Sequence, residues 1–311
     1  MSFSGRMQNS HYYTVFFAPR GRDRIYDLGI QIAQMYLSPY DKLIGIIGES
    51  GSGKSMIIKG MFPGLELTND DNGVNIRPLP ILDQDDDEGF FTAHTYHVDM
   101  RFELAFTQMH ELAGAILRAV QKGKRVIVEH FDMLYPHMNV NANLLIGIGE
   151  EIIITRPTVF GPHPQEVYNI VAKSVAYRRM AHSAEDLCEF FMGKQLLQRC
   201  RHGDVKHGFV LSFDAEPPEL DLDELESQVK GMIEQDLPIS YVNEGAIMIG
   251  DSLHPCTGPR THVASTGCIE GFRLIKKYYR DQINDRYMLV GLVGNNSHVE
   301  DESDINEISL D

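Results

Sequence analysis

A short apolar run, LIGIIG from Leu43 to Gly48, leads straight into the octapeptide GESGSGKS and then into SMIIKGM. Such a run reads as a strand buried on both faces, the mark of a parallel sheet. The octapeptide fits G-x-x-x-x-G-K-[S/T], with Gly48, Gly53, Lys54 and Ser55 at the fixed positions. Glycines let the backbone N–H groups along Gly48, Glu49, Ser50, Gly51, Ser52, Gly53, Lys54 and Ser55 turn toward phosphate oxygens, and the helix that follows adds positive potential at its N-terminus. In that arrangement Lys54 reaches the β- and γ-phosphates and the Ser55 hydroxyl ligates Mg²⁺. The expected ligand is a nucleoside triphosphate with Mg²⁺. No base-reading motif separates ATP from GTP.

The segments around this loop alternate between strand and helix patterns. Residues 22–37 carry apolar side chains at helical spacing (Ile25, Leu28, Ile32, Met35) and end at Ser38-Pro39. Thr95–Met100 and Val126–Glu129 read as strands, Leu65–Asp70 as a further one, and Glu151–Pro157 as another. Residues 102–122 form one helix on the spacing of Phe102, Phe106, Met109, Leu112, Ile116, Leu117 and Val120. The charged stretch Asp83–Gly89 reads as a solvated turn, because side-by-side carboxylates lack metal-loop spacing. Strands alternating with helices imply an α/β domain with a mainly parallel sheet, a P-loop NTPase domain over residues 1–163. A carboxylate must then serve the Mg²⁺ shell or orient a water. Glu129 and Asp132 in VIVEHFD are the candidates, with Asp99 as competitor. The order of loop, His97-Val98-Asp99 and strand-terminal Glu129 also resembles the small ATPase of the bacterial tRNA threonylcarbamoyl-adenosine pathway.

The net charge of −16 gives no general basis for binding nucleic acid, which needs clustered Lys and Arg. A local basic strip such as RLIKKYYR, Arg273 to Arg280, can still act. Residues 297–311 are an acidic tail, expected to be solvated and disordered. No apolar run reaches membrane-spanning length, and four cysteines without a leader suggest reduced thiols in a cytoplasmic protein.

Past residue 163 the pattern changes to a helix over 165–179, extending toward Met192, then GFVLSFD, an acidic helix from Leu222 to Gln235, and a β-rich end. Four blocks stand in order: RRMAHSAEDL (Arg178–Leu187), HGFVLSFD (His207–Asp214), LDLDELESQVKGMIEQDLPI (Leu220–Ile239) and PCTGPRTHVASTGCIEGFRLIKK (Pro255–Lys277). Together they resemble the second additional domain of threonyl- and alanyl-tRNA synthetases and of free-standing alanyl-tRNA editing proteins. The resemblance implies an α+β editing-like domain over 164–296 and a site where helix histidines meet a Cys/His pair, often around Zn²⁺. The matching residues are His182, Cys256 and His262. Asp186 stands where the family has its second helix histidine, and five residues rather than three separate Cys256 from His262. His182, Asp186, Cys256 and His262 can make a four-ligand zinc set; the altered spacing equally allows a degenerate site that keeps only the fold. His254 reads as a loop residue, with an extra ligand as the alternative, Cys268 as packing, and His94 and His97 as side chains on different faces of a strand.

Three functions follow as expectations. The first is an NTPase (hydrolase) joined to a domain that hydrolyses an aminoacyl-tRNA ester. The second is a nucleotide-regulated module that binds an amino acid, a tRNA end or a protein. The third is a small-molecule kinase, with Asp70, Asp71 or Asp99 holding a hydroxyl-bearing substrate.

Overall fold

The computed structural model describes residues 14–67, 81–82, 93–214, 216–295 and 305–306. These form two compact units: residues up to 173 apart from 19–21, and residues 19–21 together with 174 onward. The division falls at residue 173 rather than at 163, inside a single helix, α6 (Pro164–Phe191). A change of composition marks where a helix starts more readily than where a core ends.

The first unit is built on a six-stranded sheet in the order β1-β6-β5-β2-β4-β3. Its strands are β1 (Thr14–Phe17), β2 (Leu43–Gly48), β3 (Thr95–Asp99), β4 (Arg125–Glu129), β5 (Leu144–Ile148) and β6 (Glu151–Thr155). β5, β2, β4 and β3 run parallel, whereas β6 pairs antiparallel with β5 and β1 antiparallel with β6. The sheet is therefore mixed, not mainly parallel throughout. Only Gly149 and Glu150 join β5 to β6, a hairpin connection too short for the crossover a parallel pair requires.

Alternation along β2 sends Leu43 and Ile47 to one face and Ile44 and Ile46 to the other. Helices α1 (Arg22–Tyr36) and α2 (Lys54–Met61) cover the second face through Ile25, Ile32, Ile57 and Ile58. Helices α4 (Met109–Gln121) and α5 (Phe131–Met138) cover the first through Leu112, Ile116 and Phe131. The helix expected over 102–122 is two helices. Asp99 caps a short α3 (Met100–Glu103), Phe106 is exposed, and a capping box of Gln108 and Glu111 restarts the chain at Met109. Apolar spacing runs across that break, so periodicity alone joins what the caps separate. Leu65–Leu67 are not in a strand, and the rest of the strand expected over Leu65–Asp70 lies outside the described residues, as does Asp83–Gly89.

The second unit combines the antiparallel order β12-β14-β8-β7, with β13 added against β14, and a three-stranded sheet β11-β10-β9. These strands are β7 (Cys200–Val205), β8 (Gly208–Asp214), β9 (Ile239–Asn243), β10 (Ala246–Ile249), β11 (Ser252–Pro255), β12 (Arg273–Leu274), β13 (Tyr279–Asp281) and β14 (Arg286–Leu292). Helices α6, α7 (Lys194–Leu197) and α8 (Leu222–Glu234) complete it. Phe209, Leu211 and Phe213 alternate from β8 into the main core, with Leu187, Val229 and Leu289. Ile305 and Asn306 of the acidic tail are described: Ile305 packs beside Val210 and Ile275, and Asn306 Oδ1 accepts the Lys206 N–H at 2.9 Å. At Ile305 the tail is therefore packed against the second unit, whereas Asn306 is exposed. Among the described residues no helix is long and apolar enough to cross a membrane.

α1 and α2 approach backbone to backbone. A Cβ on Gly60 would stand 3.0 Å from the Gly29 Cα and still closer to the Tyr26 carbonyl oxygen. G60A should therefore cost about 1–3 kcal/mol, because neither helix can yield without opening the core. G231A, where an added methyl meets nothing within 4 Å along α8, should instead gain up to about 1 kcal/mol from helix propensity. Thermal unfolding of the two variants beside the parent checks both signs, and a G60A protein of unchanged stability would refute the close contact.

Candidate functional site

The loop after β2 closes on glycine conformations. Gly51 (φ 77°) and Gly53 (φ 98°) lie in the left-handed region, and a Cβ on Gly53 would also strike the Ile25 side chain. Gly53 is the N-cap of α2, and its carbonyl accepts from Met56 and Ile57 N–H at 3.1 Å each. Lys54 is buried and folds back across the loop, its Nζ donating to the Glu49 carbonyl at 3.0 Å. The Glu49 side chain leaves the loop, accepting from Tyr168 OH at 3.1 Å and lying 3.8 Å from Arg101 Nη1.

β2, β3 and β4 end together, so Gly48, Asp99 and Glu129 share the carboxyl edge of the parallel strands, where open α/β sheets bind ligands. Glu129 is the meeting point. The Ser55 hydroxyl donates to its Oε1 at 3.4 Å, His97 Nε2 is 3.1 Å from the same oxygen, and Lys54 Nζ is 3.7 Å from Oε2. Burial alone would raise the Glu129 carboxyl, but the His97 hydrogen bond, the Lys54 charge and the Ser55 hydrogen bond outweigh it and hold the group below its ordinary value. Burial lowers the Lys54 amine, opposed by Glu129 and Asp99. His130, in the left-handed region just after Glu129, is lowered to about 3 by burial and by Lys54 and Arg101.

The three acidic candidates thus separate. Glu129 touches the loop. Asp99 caps α3, its Oδ1 accepting the Phe102 N–H at 3.2 Å. Asp132, in the first turn of α5, has a buried Oδ1 without a hydrogen-bond partner, and burial raises its carboxyl. Asp70 and Asp71 lie outside the described residues. Sequence reasoning missed Arg101, Tyr168 and His130, and it did not connect His97 with Glu129. The parallel pairing of β3 and β4 makes that connection.

In the second unit His182, Asp186, Cys256 and His262 converge from α6 and from the loop after β11, their ligand atoms all within 4.8 Å of one another. Cys256 Sγ is 3.2 Å from His262 Nε2 and 3.6 Å from His182 Nε2; Asp186 is 3.8 Å from His182 Nε2 and 3.5 Å from His262 Nε2. Zinc bonds of about 2.0–2.3 Å give tetrahedral edges of about 3.3–3.7 Å; the separations here run from 3.2 to 3.8 Å, with Asp186 reaching His182 through Oδ1 and His262 through Oδ2. His182 Nδ1 lies 3.2 Å from the Thr261 carbonyl, which can only accept, so Nδ1 carries the proton and Nε2 offers its lone pair inward. His262 Nδ1 lies 3.2 Å from Ser183 Oγ, which also accepts the Val263 N–H at 3.1 Å. The extra residues between Cys256 and His262 form a turn, Thr261 N–H to Gly258 O at 3.0 Å, that brings the Thr261 carbonyl to His182. The Gly258 N–H in turn donates to Cys256 Sγ at 3.3 Å. Burial, then Glu189 and Glu185, push the Asp186 carboxyl well above its ordinary value, and burial takes His262 down to about 4.

Other expectations fare differently. His97 is buried within β3, whereas His94 is exposed and lies just before that strand, so the two do not sit on two faces of one strand. Cys268, expected to pack, is exposed, because its segment is a 3₁₀ turn rather than a continuing strand. In the basic strip Lys276 is bound to Asp223 and Glu226, each at 3.0 Å, which removes charge a nucleic acid would need. His254 is not a free loop residue but a buried one at β11.

No protein-family model and no curated protein matches the chain. Among solved structures it is similar to an ornithine aminotransferase from Toxoplasma gondii, at 11% identity and a TM-score of 0.23, over 83% of this chain and 70% of that one. It is also similar to the Catharanthus roseus tryptophan decarboxylase, at 11% identity and a TM-score of 0.23, over 86% of this chain and 68% of that one. Scores at this level transfer neither fold nor chemistry.

Proposed function

We propose that this chain binds a nucleoside triphosphate with Mg²⁺ at Gly48–Ser55 and hydrolyses it, and that its second unit is an editing-like α+β fold tied by a zinc ion. The observation that supports the first half is the meeting of Ser55 and Lys54 on one buried, ionised carboxylate, Glu129. A hydroxyl and a carboxylate side by side are the hard oxygen donors Mg²⁺ takes, and that ion would neutralise charge on the β- and γ-phosphate oxygens. Lys54 exchanges the Glu49 carbonyl for a phosphate oxygen when the nucleotide arrives. The loop and α2 orient the phosphates through backbone N–H groups. Asp132, with an oxygen left over and its affinity for a proton raised by burial, is the group to orient the attacking water. The kinase reading loses its Asp99 acceptor role, since that carboxylate already caps α3.

In the second unit the zinc reading stands on the donor set itself: two imidazoles with outer hydrogen bonds, one thiol and one carboxylate, their ligand atoms within 4.8 Å of one another. Four protein donors leave that ion no vacancy for a water, so its role is to clamp α6 to the loop after β11 rather than to hydrolyse an aminoacyl ester.

Calorimetry with ATP and GTP tests the first half. K54A should weaken nucleotide binding by about 10²-fold, the loss of charged hydrogen bonds to phosphate. D132N should keep binding and lose about 10²-fold or more in turnover. Equal affinity of K54A and parent would overturn the loop assignment. For the second half, Co²⁺-loaded protein should show a thiolate-to-cobalt charge-transfer band that C256S abolishes; a parent protein without the band would remove the metal from this reading.

A further inference from the structure

α6 carries three carboxylates within two turns, Glu185, Asp186 and Glu189, and they are not equally provided for. Glu185 is bound by Arg20 at 2.8 Å and lies 3.2 Å from His202 Nδ1; the Arg20 guanidinium also donates to the Gly208 carbonyl at 2.7 Å. His202 Nδ1 lies 3.2 Å from one oxygen of Glu189 as well, which leaves the other oxygen for another partner. Asp186 makes no such direct ion pair with Arg20: its Oδ2, 3.5 Å from His262 Nε2 in the four-donor centre, is buried without a hydrogen-bond partner. Facing this row from β11 is His254, 5% exposed, whose Nε2 is likewise buried without a partner. A buried polar nitrogen left unpaired costs about 1–3 kcal/mol, and native proteins rarely keep one without something to satisfy it. A ring nitrogen of His254 and one oxygen each of Asp186 and Glu189 lie within 4.8 Å of one another.

We infer that Asp186, Glu189 and His254 hold a second divalent cation beside the four-donor centre, with Asp186 shared between the two. The inference rests on the zinc reading of those four donors. Two features suit the site to a metal. Asp186 and Glu189 bring two carboxyl groups that Arg20, whose direct carboxylate contact on this helix is with Glu185, does not bind, and a cation between them would let both ionise where a buried carboxylate alone is costly. The donor set of two carboxylate oxygens and an imidazole is harder than the thiolate-containing one next to it, and it suits a first-row ion such as Mn²⁺ or Zn²⁺. Three protein donors also leave coordination positions for water, which the four-donor centre does not. Solvent reaches this side first, since the Glu189 side chain is 13% exposed against 3–6% for His182 and Asp186. A carboxylate bridging two ions about 3.5–4 Å apart is the usual geometry of paired metal sites.

The test is metal content by elemental analysis and native mass spectrometry, on the full chain without a histidine tag, loaded with Zn²⁺ or Mn²⁺ and desalted. The parent should carry two ions per chain, and H254A and E189Q one each. The Co²⁺ charge-transfer band of Cys256 should persist in both variants, which shows that the fold and the four-donor centre survive. E189Q, altering the most exposed of the three donors, carries the test if H254A fails to fold. One ion in parent and variants alike overturns the second site and leaves the first reading standing. No ion in the parent overturns both. Two ions in the parent and still two in both variants place the second ion on other residues and overturn this assignment.

Discussion

The parallel pairing of β2 with β4 fixes where the chemistry of the first unit stands. Ile46 lies opposite Glu129, two residues before the strand gives way to the loop at Gly48, so the carboxylate emerges level with the loop rather than below it. The sheet thereby sets, with backbone hydrogen bonds, the height of Glu129 against the start of the loop that carries Ser55. An isolated carboxylate in this position would lose several kcal/mol of solvation. His97, Lys54 and Ser55 offset that loss together, and each of them is itself buried or held at a helix start. The cluster is an interdependent unit, in which removing one partner changes the charge state of the rest.

The second unit solves a related problem by other means. Its donors come from one helix and from a loop more than seventy residues away, and no strand register sets their spacing. The helix brings His182 and Asp186 to one face at i and i+4, and the turn at Gly258–Thr261 lets a main-chain carbonyl orient the first imidazole. Precision here comes from hydrogen bonds behind the donors, through Thr261 and Ser183.

How much of this was readable beforehand depends on what kind of signal each part leaves. The turn between β2 and α2 was legible because glycines stand at the steps where the backbone takes left-handed conformations, as Gly51 and Gly53 do. The four donors of the second unit were legible through a resemblance, although Asp186 replaces an imidazole and the Cys256–His262 interval is longer. β5 was missed, even though LLIGI repeats the apolar character of LIGIIG, because nothing in a short apolar run states its direction or neighbour. The break before Met109 was invisible to periodicity, since a cap at Gln108 and Glu111 restarts the same apolar spacing. His97 and His254 carry little sequence signal: a lone histidine becomes informative only when its surroundings are known, a carboxylate in one case and two in the other.

The glycine contact between α1 and α2 bears on how a ligand would be received. With Gly29 and Gly60 touching through their main chains, α2 has little room to tilt, and the loop at its start is shaped before any ligand arrives. Such preorganisation means that capture would ask for release of the Lys54 side chain from the Glu49 carbonyl more than for main-chain movement, and would sacrifice little chain entropy on contact. Association should then be governed by encounter and by the field of Lys54, and selectivity among ligands should show itself in how long each one stays.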